Sequence, residues 1–193
     1  MFIEELIGSG QGFFVGIAEV LNRDKKSREA LLATLEFKQS RVDGIQLMNS
    51  RLIVDELHLL AAAQNAVNAF KGNYMISRSL DVETAVYASG QKQISKAFDL
   101  IGVGDKTASI ALVVISQDEK AVRLQLRSLI DSIGEETEDR FRPEPAKLQR
   151  IAQVFDIPES EIEVLAESDD IMDVRSALSK CVVSRVSSVA LDA

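Results

Sequence analysis

SLDVETAVYASGQKQISKAFDLIG, residues 79–102, is the stretch that decides the fold of this chain. Its apolar spacing predicts two short helices that meet at residues 88–91. The second helix has apolar residues at positions i, i+3, i+4 and i+7, the spacing of one buried helical face: Ile94, Ala97, Phe98 and Ile101. We expect Ser89 to cap the start of the second helix and Gly102 to close its end in the left-handed conformation.

Polar side chains surround this apolar face, and they predict a recognition surface. The hydrogen-bond donors that we expect to point outward are Gln91, Lys92, Gln93 and Lys96. A helix start with a glycine and lysines nearby can bind an anion, because its free N–H groups point away from the helix. The alternative is that Ser89 and Gly90 form only a cap and a turn. Nothing in the stretch resembles a nucleophile or an acid–base pair, which favours recognition over catalysis.

The same residues carry a family resemblance. The run Glu83 … Ala88-Ser89-Gly90-Gln91-x-Gln93-Ile94-x-x-Ala97 is followed by Ile101-Gly102 and then by a hydrophobic strand. This pattern resembles the kinase-binding small subunit of the KEOPS (EKC) complex, called the PRPK-binding protein family in animals. The resemblance is tightest over about residues 78–134, and it is to the archaeal type.

The resemblance implies a mixed α/β domain and a subunit that is neither catalytic nor dependent on a cofactor. KEOPS makes threonylcarbamoyl-adenosine beside the tRNA anticodon. Its small subunit binds the small atypical kinase of the complex and, in archaea, captures the single-stranded CCA 3′ end of tRNA. Splayed bases and phosphates of such an end are recognised by hydrogen bonds and cations. The implied RNA-binding residues here are Lys71, Arg78, Ser89, Gly90, Gln91, Lys92, Gln93 and Lys96. The alternatives are a purely protein-binding adaptor and a small nucleotide-binding enzyme.

Length and composition predict one domain over residues 1–193, with a helical C-terminal part over about 144–193. The hydrophobic content of 46% and the charged content of 27% are typical of a soluble globular protein. No apolar run approaches the roughly 18 residues that cross a bilayer, and the acidic start MFIEELIGSG lacks the basic region of a secretory signal. With one cysteine, Cys181, no internal disulfide can form. We therefore expect a cytoplasmic protein without a membrane partner.

Charge is unevenly distributed along the chain. The formal net charge of −8 argues against unselective binding to nucleic acid. Thirteen acids and four bases fall in residues 134–173, whereas residues 64–106 hold five bases and four acids. The acidic block is most simply solvated surface. The region around the helix junction is spared this acidity, so its charge does not oppose local binding of an RNA end.

The order of predicted elements indicates an α+β fold, with a small mixed or antiparallel sheet covered by several helices. The predicted strands are 13–20, 44–48 and 108–115, and the last of these, ASIALVVI, reads as a central strand buried on both faces. Helices are predicted at 27–38, 55–70, 119–133, 146–155, from Pro158 and from Ile171. Ser116-x-x-Glu119 has the pattern of a capping box, and residues 135–144 are the best linker candidate.

The last helix presents an apolar side that predicts a partner surface for the kinase: Val174, Leu178, Val182 and Val186. The alternative for this face is that it packs on its own domain. Cys181, on the same helix, is most simply a small packed side chain. Asp169-Asp170 stand just before the helix, where they complement its dipole.

Other candidate sites are weak. Gly8-Ser9-Gly10-Gln11-Gly12 lacks the last glycine of a dinucleotide fingerprint and predicts a turn. Gly104-Asp105-Lys106-Thr107 has Asp105 where a phosphate-binding loop needs glycine, so it predicts a loop that enters the central strand. His58 is the sole histidine, so no multi-histidine metal site is possible. We expect His58 to be a partly exposed helix residue.

Overall fold

The computed structural model of the chain describes residues 1–8, 12–37 and 41–190. Its strands are β1 (Phe2–Leu6), β2 (Phe13–Leu21), β3 (Gly44–Asn49), β4 (Ser109–Ser116) and β5 (Glu135–Glu136). Its helices are α1 (Arg28–Ala33), α2 (Glu56–Gly72), α3 (Leu80–Ser89), α4 (Ile94–Ile101), α5 (Glu119–Ile133), α6 (Pro145–Val154), α7 (Glu159–Leu165) and α8 (Ile171–Ser188). Short 3₁₀ turns lie at Thr34–Phe37 and Ser50–Leu52.

The five strands form one antiparallel sheet. The order is β1-β2-β4-β3, and β5 adds a short pairing at the far end of β2. The α+β prediction is confirmed, and the sheet is antiparallel rather than mixed. Strand β1 was not predicted, because it is only five residues long and two of them, Glu4 and Glu5, are exposed acids.

Apolar side chains on both faces of β4 place helices on both sides of the sheet. Ala111, Val113 and Ile115 join the core that lies beneath α2, α3 and α8. Ile110, Leu112 and Val114 join a second core beneath α5 and α1. The prediction of a central strand buried on both faces is confirmed, and the described residues form three layers, helix on sheet on helix.

Several predicted helix ends are wrong in detail. Ser89 ends α3 instead of capping α4, which begins at Ile94 after Gln93. Gly102 has φ −65° and ψ 151°, an extended backbone that forms an antiparallel bridge with Met48. Of the predicted α4 face, Ala97 and Ile101 are buried and Phe98 packs on the core, but Ile94 is 39% exposed.

The cap of α5 is Asp118 rather than Ser116. The Asp118 carboxylate accepts hydrogen bonds from the N–H groups of Lys120 (2.9 Å) and Ala121 (3.4 Å). Ser116 is the last residue of β4, where its hydroxyl donates to the Arg41 carbonyl. Ser27 caps α1 by accepting from the Ala30 N–H, and Asp170, which was predicted to complement the dipole of the last helix, caps α8 by accepting from the Met172 N–H.

The apolar face of α8 packs on its own domain. Leu178, Val182 and Val186 are fully buried, and Val174 is half-buried. The helix lies against α2 and α3, so these side chains complete the core on that face of the sheet. The prediction of a partner surface is therefore wrong for Val182 and Val186, whereas Val174 is half-buried and lines, with Leu178, a cleft between the C-terminal helices. Cys181 is buried beside them, as expected.

The linker candidate at 135–144 is fastened to the sheet by Glu19, a buried residue of β2. The Glu19 carboxylate accepts hydrogen bonds from the Ser109 hydroxyl (2.7 Å) and the Phe141 N–H (2.5 Å). The Thr137 N–H donates to the Glu19 carbonyl at 2.9 Å. A buried charge is tolerated when hydrogen bonds surround it, and here those bonds hold the segment that leads to α6.

Gly16 of β2 lies where α5 approaches the sheet most closely. A Cβ at this position would lie 2.5 Å from Cδ1 of Leu126 and closer still to Val122. Both side chains are fully buried in the core beneath α5. The absence of a side chain at Gly16 therefore sets the distance between helix and sheet.

We predict that Gly16→Ala destabilises the protein by about 1–3 kcal/mol, because the added methyl group overpacks a close-packed core. Denaturant unfolding followed by circular dichroism measures the loss. Gly104→Ala is the matched control, since a Cβ there meets nothing within 4 Å. The second change Val122→Ala should restore part of the stability. Equal stabilities for Gly16→Ala and Gly104→Ala would contradict this account of the contact.

Candidate functional site

The junction between α3 and α4 is a tight, internally bonded turn. Gly90 ends α3 in the left-handed conformation, with φ 65° and ψ 15°, a region that glycine enters without strain. The buried Ser89 hydroxyl donates to the Val86 carbonyl at 2.8 Å and accepts from the Gln91 N–H at 3.2 Å. Ser89 therefore shapes the turn, and Gly90 and Gln91 carry the backbone to the surface.

A pocket of about 290 Å³, the junction pocket, opens at this turn. One wall consists of the turn itself, from Ser89 to Lys92, and the other comes from the ends of α6 and α8. The residues of that second wall are Val154, Phe155, Asp156, Arg185, Ser188 and Val189. The structure thus brings the predicted Ser89, Gly90, Gln91 and Lys92 together in a concave site. Gln93 and Lys96 are exposed just beyond it, at the start of α4.

Phe155 and His58 support the turn from inside the protein. A Cβ on Gly90 would lie 3.1 Å from Cε1 of Phe155, so the ring approaches the turn closely. The His58 ring meets Phe155 edge-on at 5.5 Å, and its Nε2 lies 2.8 Å from the Ala88 carbonyl oxygen. The expectation of a partly exposed His58 is wrong, because this ring is fully buried between α2 and α3.

Burial lowers the pKa of His58 to about 4, although the hydrogen bond to Ala88 opposes that change. The ring is therefore neutral at pH 7. Its Nε2–H donates to the Ala88 carbonyl, and its Nδ1 accepts from the Val54 N–H at 3.5 Å. His58 thus joins the start of α2 to the end of α3 and holds the turn in place.

The pocket has a mixed electrostatic character. Lys92 and Arg185 contribute positive charge to its lining, and Asp156 contributes negative charge. Arg185 is paired with Glu161 through two hydrogen bonds of 2.6 and 3.0 Å, and this pairing holds the pKa of the Glu161 carboxyl below its usual range. The pocket offers hydrogen-bond donors and an aromatic ring rather than a concentration of cations.

Two of the predicted RNA-binding residues lie elsewhere. Lys71 belongs to the last turn of α2, and its Nζ lies 5.3 Å from the centre of the Phe13 ring. His58, at the other end of α2, contacts the turn, so Lys71 is about 20 Å from it at 1.5 Å per residue. Arg78 precedes α3, whose far end forms the turn. Lys71 and Arg78 therefore group at the opposite end of the helix pair.

Sequence reasoning missed the second wall of the pocket. Phe155, Arg185 and Ser188 are about 60 to 100 positions away from the turn along the chain, and only the packing of α6 and α8 brings them near. The one local signal was the helical spacing of Leu148, Ile151 and Phe155 in the helix predicted at 146–155, which is typical of an inward face. Nothing in the local spacing of Arg185 or Ser188 indicates a site.

The loop at Gly104–Thr107 does not form a site. Asp105 accepts a hydrogen bond from the Arg28 N–H at 2.8 Å, and Gly104–Thr107 is a turn before β4, as predicted. In the glycine-rich stretch 8–12, which was predicted to be a turn, residues 9–11 lie outside the described part of the chain. Among the described residues, no group of three or more histidines, cysteines and acids is placed to hold a metal ion. No helix in this same part is long and apolar enough to span a membrane.

Comparison with known proteins gives one family. A family described as "Kinase binding protein CGI-121" matches residues 19–190, nearly the whole chain. The EKC/KEOPS complex subunit TPRKB of Danio rerio is 26% identical over 111 residues, which are 56% of this chain and 60% of that protein. The regulatory protein Cgi121 of Methanocaldococcus jannaschii is 32% identical over 102 residues, 50% of this chain and 64% of that protein. The chain thus spans less than two thirds of either relative.

We predict that His58 makes the stability of the protein depend on pH. Its pKa of about 4 in the folded state lies below the value near 6.5 of an exposed histidine, so protonation favours unfolding. The contribution is fully present above about pH 6.5 and is lost as the pH falls towards 4, by roughly 3 kcal/mol in total. Denaturant unfolding at several pH values measures this.

The control is His58→Gln, whose side-chain amide can still donate to the Ala88 carbonyl but does not titrate. The wild type should be more stable than the variant at pH 7.5, and this difference should shrink as the pH falls towards 4. Parallel stability profiles for the two proteins would show that burial of His58 does not couple to folding.

Proposed function

Because this chain belongs to the kinase binding protein CGI-121 family, we propose that it is a non-catalytic KEOPS subunit that binds the small atypical kinase of the complex. The names of both relatives support this role, since one is a KEOPS subunit and the other a regulatory protein. The junction pocket also lacks the parts of a hydrolytic centre. Its lining holds no histidine or cysteine, and its one acid, Asp156, has no neighbouring acid in the lining.

The second part of the proposal is that the junction pocket receives the 3′ end of tRNA. The observation that carries it is the pocket itself, which forms around the residues that resemble the family. A volume of about 290 Å³ suits one terminal nucleoside rather than a duplex. Single-stranded RNA ends are recognised by stacking and by hydrogen bonds to splayed bases. The ring of Phe155 offers a surface for stacking, and Ser89, Gly90 and Gln91 offer polar backbone and side-chain groups for hydrogen bonds.

Charge assigns different parts of the RNA end to different residues. Asp156 in the lining would repel a phosphate, so a base or ribose fits the interior better. Lys92 and Lys96 are exposed around the pocket, where phosphates of the preceding nucleotides would lie. Gln93, which is also exposed, adds a side-chain amide there. Lys71 and Arg78 are too distant to contact the same nucleotide and would meet another part of the tRNA.

We predict that Lys92→Glu/Lys96→Glu weakens tRNA binding and flattens its salt dependence. Each lost phosphate contact reduces the log–log salt slope by about 0.7 for a single strand. Removing CCA from the tRNA should weaken binding to the wild type to a similar extent. The measurement is fluorescence anisotropy with labelled tRNA at several salt concentrations. Lys106→Glu/Lys120→Glu is the control, because it makes the same change of charge at exposed positions outside the pocket.

A steric variant tests the pocket directly. Ser188 lines the pocket from the exposed end of α8, so Ser188→Trp should fill it without disturbing the core. We expect this variant to lose discrimination between complete and CCA-lacking tRNA. Co-purification with the kinase checks that each variant still folds and assembles. If the wild type binds the kinase but binds both tRNAs equally, the chain is a protein-binding adaptor and the RNA part of the proposal fails.

A further inference from the structure

The three C-terminal helices enclose a second and larger concavity. A cleft of about 1020 Å³ lies between α6, α7 and α8. It adjoins the junction pocket at Asp156, which lines both, but its other residues are different. Nothing in the proposed function uses this cleft.

The interior of the cleft is mostly apolar. Leu148 of α6 and Leu178 of α8 are buried at its base. Ala152, Ile162 and Val174, one from each helix, are half-buried and line its walls. Carbon surface left in contact with water on three converging helices gains free energy when another apolar surface covers it.

The rim of the cleft is acidic. Glu159, Glu163 and Asp169 line it with exposed side chains, and no lysine or arginine is among the lining residues. Within the described residues, no hydrogen bond or ion pair engages these three carboxylates. Glu161 on the same helix differs, because it is paired with Arg185. The surrounding segment, residues 156–170, holds seven acids and no base, so it remains negative even with Glu161 paired.

We propose that this cleft binds a basic amphipathic helix of a partner protein. A helix with an apolar stripe places side chains at i, i+3, i+4 and i+7 into such a groove. Lysines and arginines beside that stripe would meet the unpaired carboxylates of the rim, which favours fast and selective association. The same carboxylates repel the phosphates of nucleic acids and of anionic lipids. The proposal goes beyond the proposed function, and its test requires neither tRNA nor the kinase.

The test uses a synthetic peptide of about five helical turns. Leucines at helical spacing form one face of this peptide, and lysines and arginines form the other. Fluorescence anisotropy measures its binding to the full chain, in parallel with a scrambled peptide of the same composition. We expect saturable binding of the amphipathic peptide with a Kd in roughly the micromolar range, and binding of the scrambled peptide that is at least tenfold weaker.

Variants locate the binding. Ala152→Trp should obstruct the cleft and weaken binding at least tenfold. Glu159→Lys/Glu163→Lys should weaken it several-fold at low salt and flatten its salt dependence, because exposed charges are screened by ions. Asp131→Lys/Glu29→Lys is the matched control, since both acids are exposed on helices that do not line the cleft. Circular dichroism checks folding. If Ala152→Trp does not fold, Glu159→Lys/Glu163→Lys tests the site instead, because both of its changes are at exposed positions.

Three results would overturn the proposal. Equal binding of the scrambled and amphipathic peptides would mean that no helical face is recognised. Equal weakening by the rim reversal and by the control reversal would mean attraction to net charge alone. Sedimentation that shows a dimer of the chain, dissociated by Ala152→Trp or by the rim reversal, would assign the cleft to a second copy.

Discussion

Burial of β4 on both faces is the constraint on which the rest of the structure depends. The six consecutive apolar residues from Ile110 to Ile115 place apolar side chains on both faces of the sheet, so helices must cover both faces. The layer with α2, α3 and α8 forms one cover and α5 with α1 forms the other. Gly16 then sets how closely α5 approaches the sheet, and the ring of His58 sets how closely α2 approaches α3.

The junction pocket and the cleft lie beside each other and differ in chemistry. The junction pocket combines a turn of polar backbone with an aromatic ring and the cations Lys92 and Arg185. The cleft beside it is apolar with an acidic rim. Asp156, which lines both, lies at the change from one character to the other. If the pocket receives an RNA end and the cleft a basic helix, as proposed, the acidic rim of the cleft keeps the two ligands apart because it repels phosphates.

Long apolar patterns in the sequence predicted the framework of the fold. The positions of β4, α2 and α5 follow from runs and spacings that only a buried strand or a helix face explains. Strand β1 was not predicted, because a short strand with Glu4 and Glu5 has too little apolar character to be recognised. The cap at Ser89 failed because its hydroxyl has nearer partners in the turn. The exposure of His58 and of the α8 face depended on tertiary packing, which local spacing does not contain.

The candidate site was half predictable for the same reason. Gly90 and its neighbours form a continuous stretch whose turn chemistry can be read locally. The wall that contains Phe155 and Arg185 comes from helices far along the chain, and a single sequence gives no information on which helices meet. Lys71 and Arg78 show the converse error, because residues close in sequence to the junction lie at the other end of the helix pair.

The place of β4 in chain order has a consequence for biosynthesis. An uncharged β-forming run such as SIALVVIS is a hazard for aggregation while it is unpaired. Its two sheet neighbours, β2 and β3, both precede it in the chain, so both leave the ribosome first. The nascent chain therefore already holds both strand partners when this segment emerges, and what has to follow is the covering by α5 on one face and by α8 on the other. A circular permutant that translated β4 first would remove this protection and would aggregate more readily during expression.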